Sequence, residues 1–229
     1  MTEACVVRHR DKGALRCAVR WTLTAMLALF FSGATATQYW IDPKETRSSF
    51  EVWMLGFIPI RGQFKNTTGA LIYDAASQTG NIEVSINTTN IEANSERAEA
   101  AARSADFFNV DKYPRMNFKS SRFVFEGGRL RAVDGVLTLT GTARPVTLAV
   151  SQAACGQAAA SEAAVCRAEA SVTVKRSAFG MKAWSRTVGD DVTIRLAIVA
   201  FAPRDANVTG SDKANSADAE DTITTSKPQ

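Results

Sequence analysis

The stretch VTIRLAI, residues 192–198, carries an apolar side chain at every second position, with Thr, Arg and Ala between them. Because successive side chains of a β-strand point to opposite faces, this alternation predicts a strand with one buried face. The same alternation recurs in FEVWM (residues 50–54), IEVSI (82–86) and VTLAV (146–150), and turn residues separate the runs. Eight or nine strands at short spacing predict an all-β protein, either a sandwich or a closed barrel.

One segment between strands has helical spacing. Asn94 suits a helix N-cap and Glu96 would lie in the first turn, where an acidic side chain complements the helix dipole. A face of small side chains follows, formed by Ala98, Ala101, Ala102 and Ala105. We therefore predict a helix over residues 95–103, suited to covering one end of a barrel.

The first 36 residues have the form of a cleaved signal peptide. Basic residues between Arg8 and Arg20 precede an apolar run of about 11 residues, Trp21 to Phe31, and then the sequence Ala34-Thr35-Ala36. A transmembrane anchor is the alternative, but a spanning helix needs about 20 apolar residues. We expect a mature chain that starts near Thr37 and resides in the periplasm.

The charge balance and the composition exclude several function classes. The signal segment holds five of the 27 basic residues and two of the 23 acidic ones, which leaves a nearly neutral mature chain and no nucleic-acid footprint. The only histidine, His9, lies in that segment, which excludes His-dependent catalysis and His-ligated zinc or haem. We therefore predict no catalytic residues, no metal and no cofactor; an enzyme that uses acids such as Asp106 and Asp111 is a weaker alternative.

Two cysteines remain after the signal. Cys155 and Cys166 flank an Ala-rich segment, Gly156 to Val165, which is typical of a hairpin loop. An even pair in an exported chain predicts a disulfide, with two free thiols as the alternative. From residue 203 the composition turns to Ser, Thr, Asn, Asp, Ala and Lys without periodicity, so residues 37–202 are the predicted domain and 203–229 a disordered polar tail.

Several short runs occur in a specific order. They are SFEV (49–52), IRGQF (60–64), GALIYD (69–74), SADFFNV (104–110), YP (113–114), FKS (118–120), GVLTLTG (135–141), RPVTL (144–148) and RSAFGM (176–181). As an ordered set over residues 38–202, they resemble the YceI family of lipocalin-like proteins. The resemblance implies an eight-stranded antiparallel barrel with a short helical lid, located outside the cytoplasm, that holds a long isoprenoid lipid such as a prenyl quinone or a polyprenyl phosphate.

This chain departs from the family pattern at two positions. Histidines are frequent in the family where this sequence has Glu45 and Met54. Head-group contacts made through those imidazoles therefore do not carry over to this chain.

The barrel interior is the predicted ligand site, because a barrel of eight strands is wide enough either to be filled by side chains or to hold one ligand. The predicted lipid contacts are Phe50, Val52, Met54, Phe64, Ile82, Val84, Ile86, Phe107, Phe108 and Phe118, and the predicted head-group contacts are Arg61, Arg103 and Arg144. A lipid ligand also implies transient contact with a membrane. The alternative is a stress-related structural or interaction protein in which the same apolar residues fill the barrel; the sequence indicates no oligomeric state.

Overall fold

The computed structural model describes residues 36–157 and 164–202. The predicted signal peptide up to Thr35, the predicted tail and the centre of the Ala-rich segment lie outside the described residues. In the described ranges, no helix is long and apolar enough to cross a membrane.

The described residues form eleven strands and two short helices. In chain order these are β1 (Thr37–Ile41), β2 (Arg47–Met54), β3 (Ile58–Phe64), β4 (Thr67–Asp74), β5 (Thr79–Asn87), β6 (Ile91–Ala93), α1 (Glu96–Arg103), β7 (Arg115–Glu126), β8 (Arg129–Leu139), β9 (Thr142–Gln157), β10 (Ala164–Lys175), a 3₁₀ helix (Arg176–Phe179) and β11 (Val188–Phe201).

All strand pairs are antiparallel, and the sheet closes where β1 pairs with β11 through Ile41 and Ala200. Six of the strands are halves of three bent strands. β1 and β2 pair in succession with β11, β3 and β4 pair with β2 and β1, and β5 and β6 pair with β4 and β3. With β7 to β11 these three make eight strands, which confirms the predicted eight-stranded antiparallel barrel.

The two ends of the barrel differ. At one end, here called the disulfide end, Cys155 of β9 lies directly opposite Cys166 of β10, and the two form the predicted disulfide. Their hairpin is longer than predicted: Gly156 and Val165, expected in the loop, are strand residues that pair with each other. Because the disulfide fixes the register of the two strands, further residue pairs form beyond it at little additional cost in conformational entropy.

The opposite end, here called the lid end, carries α1. The helix begins at Glu96, with Ser95 as its N-cap; the Ser95 hydroxyl accepts a hydrogen bond from the amide of Ala98 at 3.2 Å. The prediction of Asn94 as the N-cap was wrong by one residue. The side-chain Nδ2 of Asn94 donates to the carbonyl of Pro59 at 3.3 Å, and Ser95 caps the helix. Of the predicted alanine face, Ala98, Ala101 and Ala102 turn towards the barrel, whereas Ala105 lies beyond the end of the helix.

The alternating patterns in the sequence face the interior as predicted. On β11 Ile194, Leu196 and Ile198 are buried, and on β2 Phe50 and Val52 are buried. The apolar faces of the strands therefore form one core inside the barrel, and α1 with the loops around it covers the lid end.

Candidate ligand-binding site

A cavity of about 400 Å³ lies between α1 and the barrel wall at the lid end. This volume falls near the lower end of the range of about 300–1,000 Å³ that small-molecule sites occupy. Side chains of β2, β3, β7, β8, β10 and β11 form its walls, and Ala98, Ala101 and Ala102 of α1 form its cover. The small alanine side chains bring the helix close to the barrel and still leave space beneath it.

Three phenylalanines form one wall of the cavity. The ring of Phe50 lies 5.3 Å from that of Phe64 and 5.6 Å from that of Phe108, and Phe64 lies 5.5 Å from Phe108. The two pairs that involve Phe108 are edge-to-face, and Phe50 and Phe64 are tilted at 42° to each other. An edge-to-face pair contributes about 0.5–1.5 kcal/mol beyond its buried area. The wall is therefore fixed by packing between the barrel and the segment after α1, before any ligand is present.

Six of the ten predicted lipid contacts line this cavity. They are Phe50, Val52, Met54, Phe64, Phe107 and Phe108. Met54, at a position where the family frequently has histidine, thus contributes an apolar surface near the rim. Glu45 is exposed in the bend between β1 and β2.

The structure does not bring the other four predicted contacts to the cavity. Val84, Ile86 and Phe118 are buried in the middle of the barrel and border a void of only about 20 Å³, and Ile82 packs against the same core. The reason is visible at Gly135: a Cβ there would lie 2.5 Å from the Phe118 ring, which fills the space that a side chain on β8 would take. A period-two pattern is the same for a filled and for a hollow section, so it could not separate them.

The structure also keeps the three predicted head-group arginines away from the cavity lining. Arg61 lies on the outer face, where its Nε donates to Glu51 at 2.6 Å; this hydrogen bond is the main cause that lowers the pKa of Glu51. Arg103 donates to the carbonyl of Ile91 at 2.9 Å and pairs with Glu99. Arg144 is exposed, and its Nε donates to the carbonyl of Ala178 at 3.3 Å. All three have partners on the protein itself.

Two other arginines line the cavity, and only one of them is exposed. Arg97 lies on α1, one turn before Ala101, and its side chain is at the solvent-exposed rim. Helical spacing already places positions i and i+4 on one face, so the pattern that predicted the helix contained the signal for Arg97.

Arg176 is the second and is only 3% exposed. Its guanidinium donates to the carbonyls of Met181, Ala183, Val188 and Gly189 at 2.7–3.0 Å. Burial lowers its pKa, and nearby Asp190 opposes that effect. Because these donors are engaged by the backbone, Arg176 holds the loop in place and is not a natural partner for a ligand. It lies in the run RSAFGM that supported the family resemblance.

That loop, residues 176–187, is here called the rim loop, and it borders the cavity with Met181 and Trp184. The backbone amide and the hydroxyl of Ser177 both donate to Asp190 at 2.8 Å, which lowers the pKa of Asp190. At its other end Trp184 donates from Nε1 to Asp106 at 3.2 Å. The loop is thus tied both to β11 and to the segment that follows α1.

The acids of the enzyme alternative do not form a pair around the cavity. Asp106 accepts the Trp184 hydrogen bond, and Asp111 is exposed in the turn before β7. Within residues 36–157 and 164–202, no group of three or more His, Cys, Asp or Glu side chains is placed to hold a metal ion.

Comparisons with known proteins agree with this architecture. The family model of the YceI-like domain matches residues 39–200. Protein YceI of Shigella flexneri is 35% identical over 130 residues, which cover 55% of this chain and 68% of that protein. The crystal structure of BcnA from Burkholderia cenocepacia has 25% sequence identity and a TM-score of 0.57, and covers 69% of this chain and 98% of that chain.

A more distant structure shares the fold alone. It is a polyisoprenoid binding domain from Saccharophagus degradans, 11% identical with a TM-score of 0.51, covering 74% of this chain and 100% of that one. The family match spans almost the whole barrel from β1 to β11, including α1 and the rim loop. The chain therefore belongs to the YceI-like domain family.

Proposed function

We propose that this chain is an extracytoplasmic carrier that holds the hydrocarbon part of an isoprenoid lipid, either a prenyl quinone or a polyprenyl phosphate, in the cavity beneath α1. The observation that carries the proposal is the composition of the cavity lining: apart from Ser95, Arg97 and Arg176, every lining residue is apolar or aromatic. The polyisoprenoid binding described for the Saccharophagus degradans domain, which shares the fold, supports the same ligand class.

Energetics favour a chain of several prenyl units. Burial of one CH₂ contributes about 0.8 kcal/mol, so a five-carbon unit contributes about 4 kcal/mol. Association costs about 4–15 kcal/mol in lost freedom, which a single unit does not offset. A long chain therefore fills the cavity and continues out past the rim, where Arg97 is positioned to meet a polar or charged head.

The location in the periplasm is part of the same proposal. The disulfide between Cys155 and Cys166 supports an oxidising compartment, and the signal-like residues 1–36 support export. In that compartment a water-insoluble lipid requires a protein that shields its chain from solvent.

The test begins with protein purified from its own host, from which bound lipid is extracted and identified by mass spectrometry. Delipidated protein is then titrated with a prenyl quinone. We expect Ala101→Trp, which fills the cavity from the lid, to weaken uptake at least tenfold. Ala100→Trp is the matched control, because Ala100 is the neighbouring helix residue and is exposed.

A filled-barrel structural protein is the second candidate, and one observation favours it: the section around Phe118 and Gly135 is packed with side chains. It predicts that native preparations contain no lipid and that neither variant alters any uptake. That combination of results would remove the carrier proposal.

A further inference from the structure

Large apolar side chains are exposed together at the lid end, immediately outside the cavity. Trp53 is 43% exposed, Leu55 54%, Phe57 69% and Trp184 53%. We call these four residues the rim patch. The other large apolar side chains that are exposed in the described part of the chain, Trp40, Ile72 and Val136, lie on β1, β4 and β8, away from the β2–β3 turn and the rim loop.

Two connected segments carry the rim patch. The end of β2 and the β2–β3 turn supply Trp53, Leu55 and Phe57, and the rim loop supplies Trp184. The amide of Leu55 donates to the carbonyl of Thr187 at 2.7 Å, and the amide of Thr187 donates to the carbonyl of Trp184 at 3.0 Å. These backbone hydrogen bonds hold the β2–β3 turn and the rim loop side by side, and Trp184 of that loop borders the cavity.

The backbone at two of these positions is unfavourable for the residues present. Leu55 and Trp184 have φ values of 54° and 57°, in the left-handed region, and Leu55 is followed by Gly56 at φ 79°. The amide of Phe57 donates to the carbonyl of Met54 at 3.3 Å, which makes Leu55 and Gly56 the central residues of a β-turn. A β-turn with positive φ at both central positions favours Asn-Gly, not Leu-Gly. Stability alone would select against large apolar residues here, so their presence indicates a requirement outside folding.

Cations accompany the patch. Lys182 and Arg186 are exposed on either side of Trp184, and none of the ion pairs among the described residues involves them. Arg97 faces the same rim from α1. Of the acids nearby, Asp106 accepts a hydrogen bond from Trp184 of the patch itself, Asp190 accepts from Ser177, and Asp191 pairs with Lys175.

We propose that the rim patch docks the protein onto the surface of a bilayer that contains anionic phospholipid. Leu55 and Phe57 enter the acyl region, the two tryptophans lie at the level of the head groups, and Lys182 and Arg186 meet lipid phosphates. In this orientation the cavity mouth faces the membrane, so a lipid chain passes between bilayer and barrel without exposure to water. This last consequence rests on the proposed carrier function, whereas the docking surface itself does not.

The experiment measures co-sedimentation of the purified full chain with two kinds of vesicle. One is phosphatidylcholine alone, and the other is an equimolar mixture of phosphatidylcholine and phosphatidylglycerol. We expect clear association with the mixed vesicles and weaker association with neutral ones. The double variant Leu55→Asn/Phe57→Ser should bind the mixed vesicles at least tenfold more weakly, because two large apolar side chains no longer enter the bilayer.

Two controls separate docking from general effects. Ile72→Ser/Val136→Ser removes exposed apolar side chains elsewhere on the barrel and should bind as the parent does. Arg129→Gln/Arg131→Gln removes cations from the disulfide end and should also leave binding unchanged, whereas Lys182→Gln/Arg186→Gln should lose the preference for phosphatidylglycerol. Leu55→Asn creates the favoured Asn-Gly turn, so thermal unfolding should show a fold at least as stable as the parent.

The outcomes also separate this proposal from the carrier function. Leu55 and Phe57 do not line the cavity, so uptake of a short-chain prenyl quinone without vesicles should be the same in the double variant and the parent. If the protein binds the vesicles but takes up no prenyl quinone, the carrier function is refuted and the docking proposal stands. Vesicle binding that is absent, or that does not depend on Leu55 and Phe57, would overturn the docking proposal. A dimer that the parent forms and the double variant does not form would also overturn the docking proposal, because a second copy would then cover the patch.

Discussion

The indole Nε1 of Trp184 donates a hydrogen bond to Oδ2 of Asp106 at 3.2 Å, and this contact joins two segments 78 residues apart in the chain. Trp184 belongs to the rim loop, and Asp106 follows α1. The bond therefore connects the lid to the opposite side of the cavity mouth. In the proposed carrier, a ligand that leaves between the lid and the rim loop would have to break this bond.

The first prediction concerns that contact. Asp106→Ala should accelerate release of a bound prenyl quinone by about two- to tenfold, because a single hydrogen bond contributes about 0.5–1.5 kcal/mol. Asp106→Asn keeps an acceptor oxygen and should restore most of the slow release. Stopped-flow displacement of a fluorescent prenyl ligand measures the rate.

Asp111→Ala is the matched control, because Asp111 is exposed in the turn before β7. Equal release rates for Asp106→Ala and Asp111→Ala would show that the Trp184 contact does not restrain the mouth. The same pair of variants addresses the enzyme alternative, which requires that loss of either acid abolish a phenotype.

The second prediction concerns Arg176. Replacement by Met should destabilise the protein by about 3–5 kcal/mol, since four backbone carbonyls of the rim loop and β11 lose their donor. Its guanidinium carbon also lies 5.7 Å from the ring centre of Phe107, so the cavity wall loses a packing partner. Urea denaturation measures the free energy of unfolding.

Arg176→Lys should not recover this stability, because one ammonium cannot reach the four carbonyls that the planar guanidinium reaches. Arg144→Met serves as the control, since Arg144 is exposed and donates to one carbonyl only. A loss as small in Arg176→Met as in Arg144→Met would contradict the structural role given to Arg176.

The third prediction is a dependence of stability on pH through Asp190. Hydrogen bonds from the amide and hydroxyl of Ser177 lower the pKa of Asp190 from its ordinary value of 3.8. A carboxyl with a depressed pKa in the folded state stabilises the fold above its unfolded pKa, and this contribution is lost as the pH falls through the folded pKa. Acidification below 3.8 should therefore weaken the anchoring of the rim loop.

Chemical denaturation at neutral and acidic pH checks this dependence. Asp190→Asn should be less stable than the parent at neutral pH and should lose less stability on acidification. Ser177→Ala, which keeps the backbone donor, should lie between the two. If the parent and Asp190→Asn show the same pH profile, the Ser177–Asp190 contact does not contribute to it.

The fourth prediction concerns the disulfide. Replacement of Cys155 and Cys166 by Ser should lower the free energy of unfolding by about 2–3 kcal/mol, as expected for a short closed loop. The cavity is at the opposite end of the barrel, so the affinity for a prenyl quinone should remain within about twofold when the fold is populated. A large loss of affinity in a variant that is fully folded would mean that the two ends of the barrel are coupled.

The sequence predicted the barrel more completely than the site. Alternation in residues 50–54, 82–86 and 192–198 reports which face of a strand is buried, and this local property survives in the structure. Whether a buried face meets open space depends on the side chains of other strands. The Phe118 ring, for example, fills the space that a side chain at Gly135 on β8 would take. Likewise, an arginine's position near a turn does not identify its partner. Arg61 donates to Glu51, which lies opposite it on β2, and only the strand register specifies that pairing.

The fifth prediction separates the two ligand heads by means of Arg97. Arg97 lies at the exposed rim, and the donors of the other cavity arginine, Arg176, are engaged by backbone carbonyls. A polyprenyl phosphate should therefore lose affinity about three- to tenfold in Arg97→Gln, since an exposed ion pair contributes up to about 1 kcal/mol and a charge-assisted hydrogen bond somewhat more. A prenyl quinone has no charge, so its affinity for Arg97→Gln should be within about twofold of its affinity for the parent.

Titration of both ligands at low and high salt measures the difference, with Arg61→Gln as a control on the outer face. If Arg97→Gln lowers the affinity for both ligands equally, the Arg97 side chain acts by covering the cavity mouth and not by pairing with a head group. Loss of cover affects any prenyl chain, whereas loss of the charge affects only an anionic ligand.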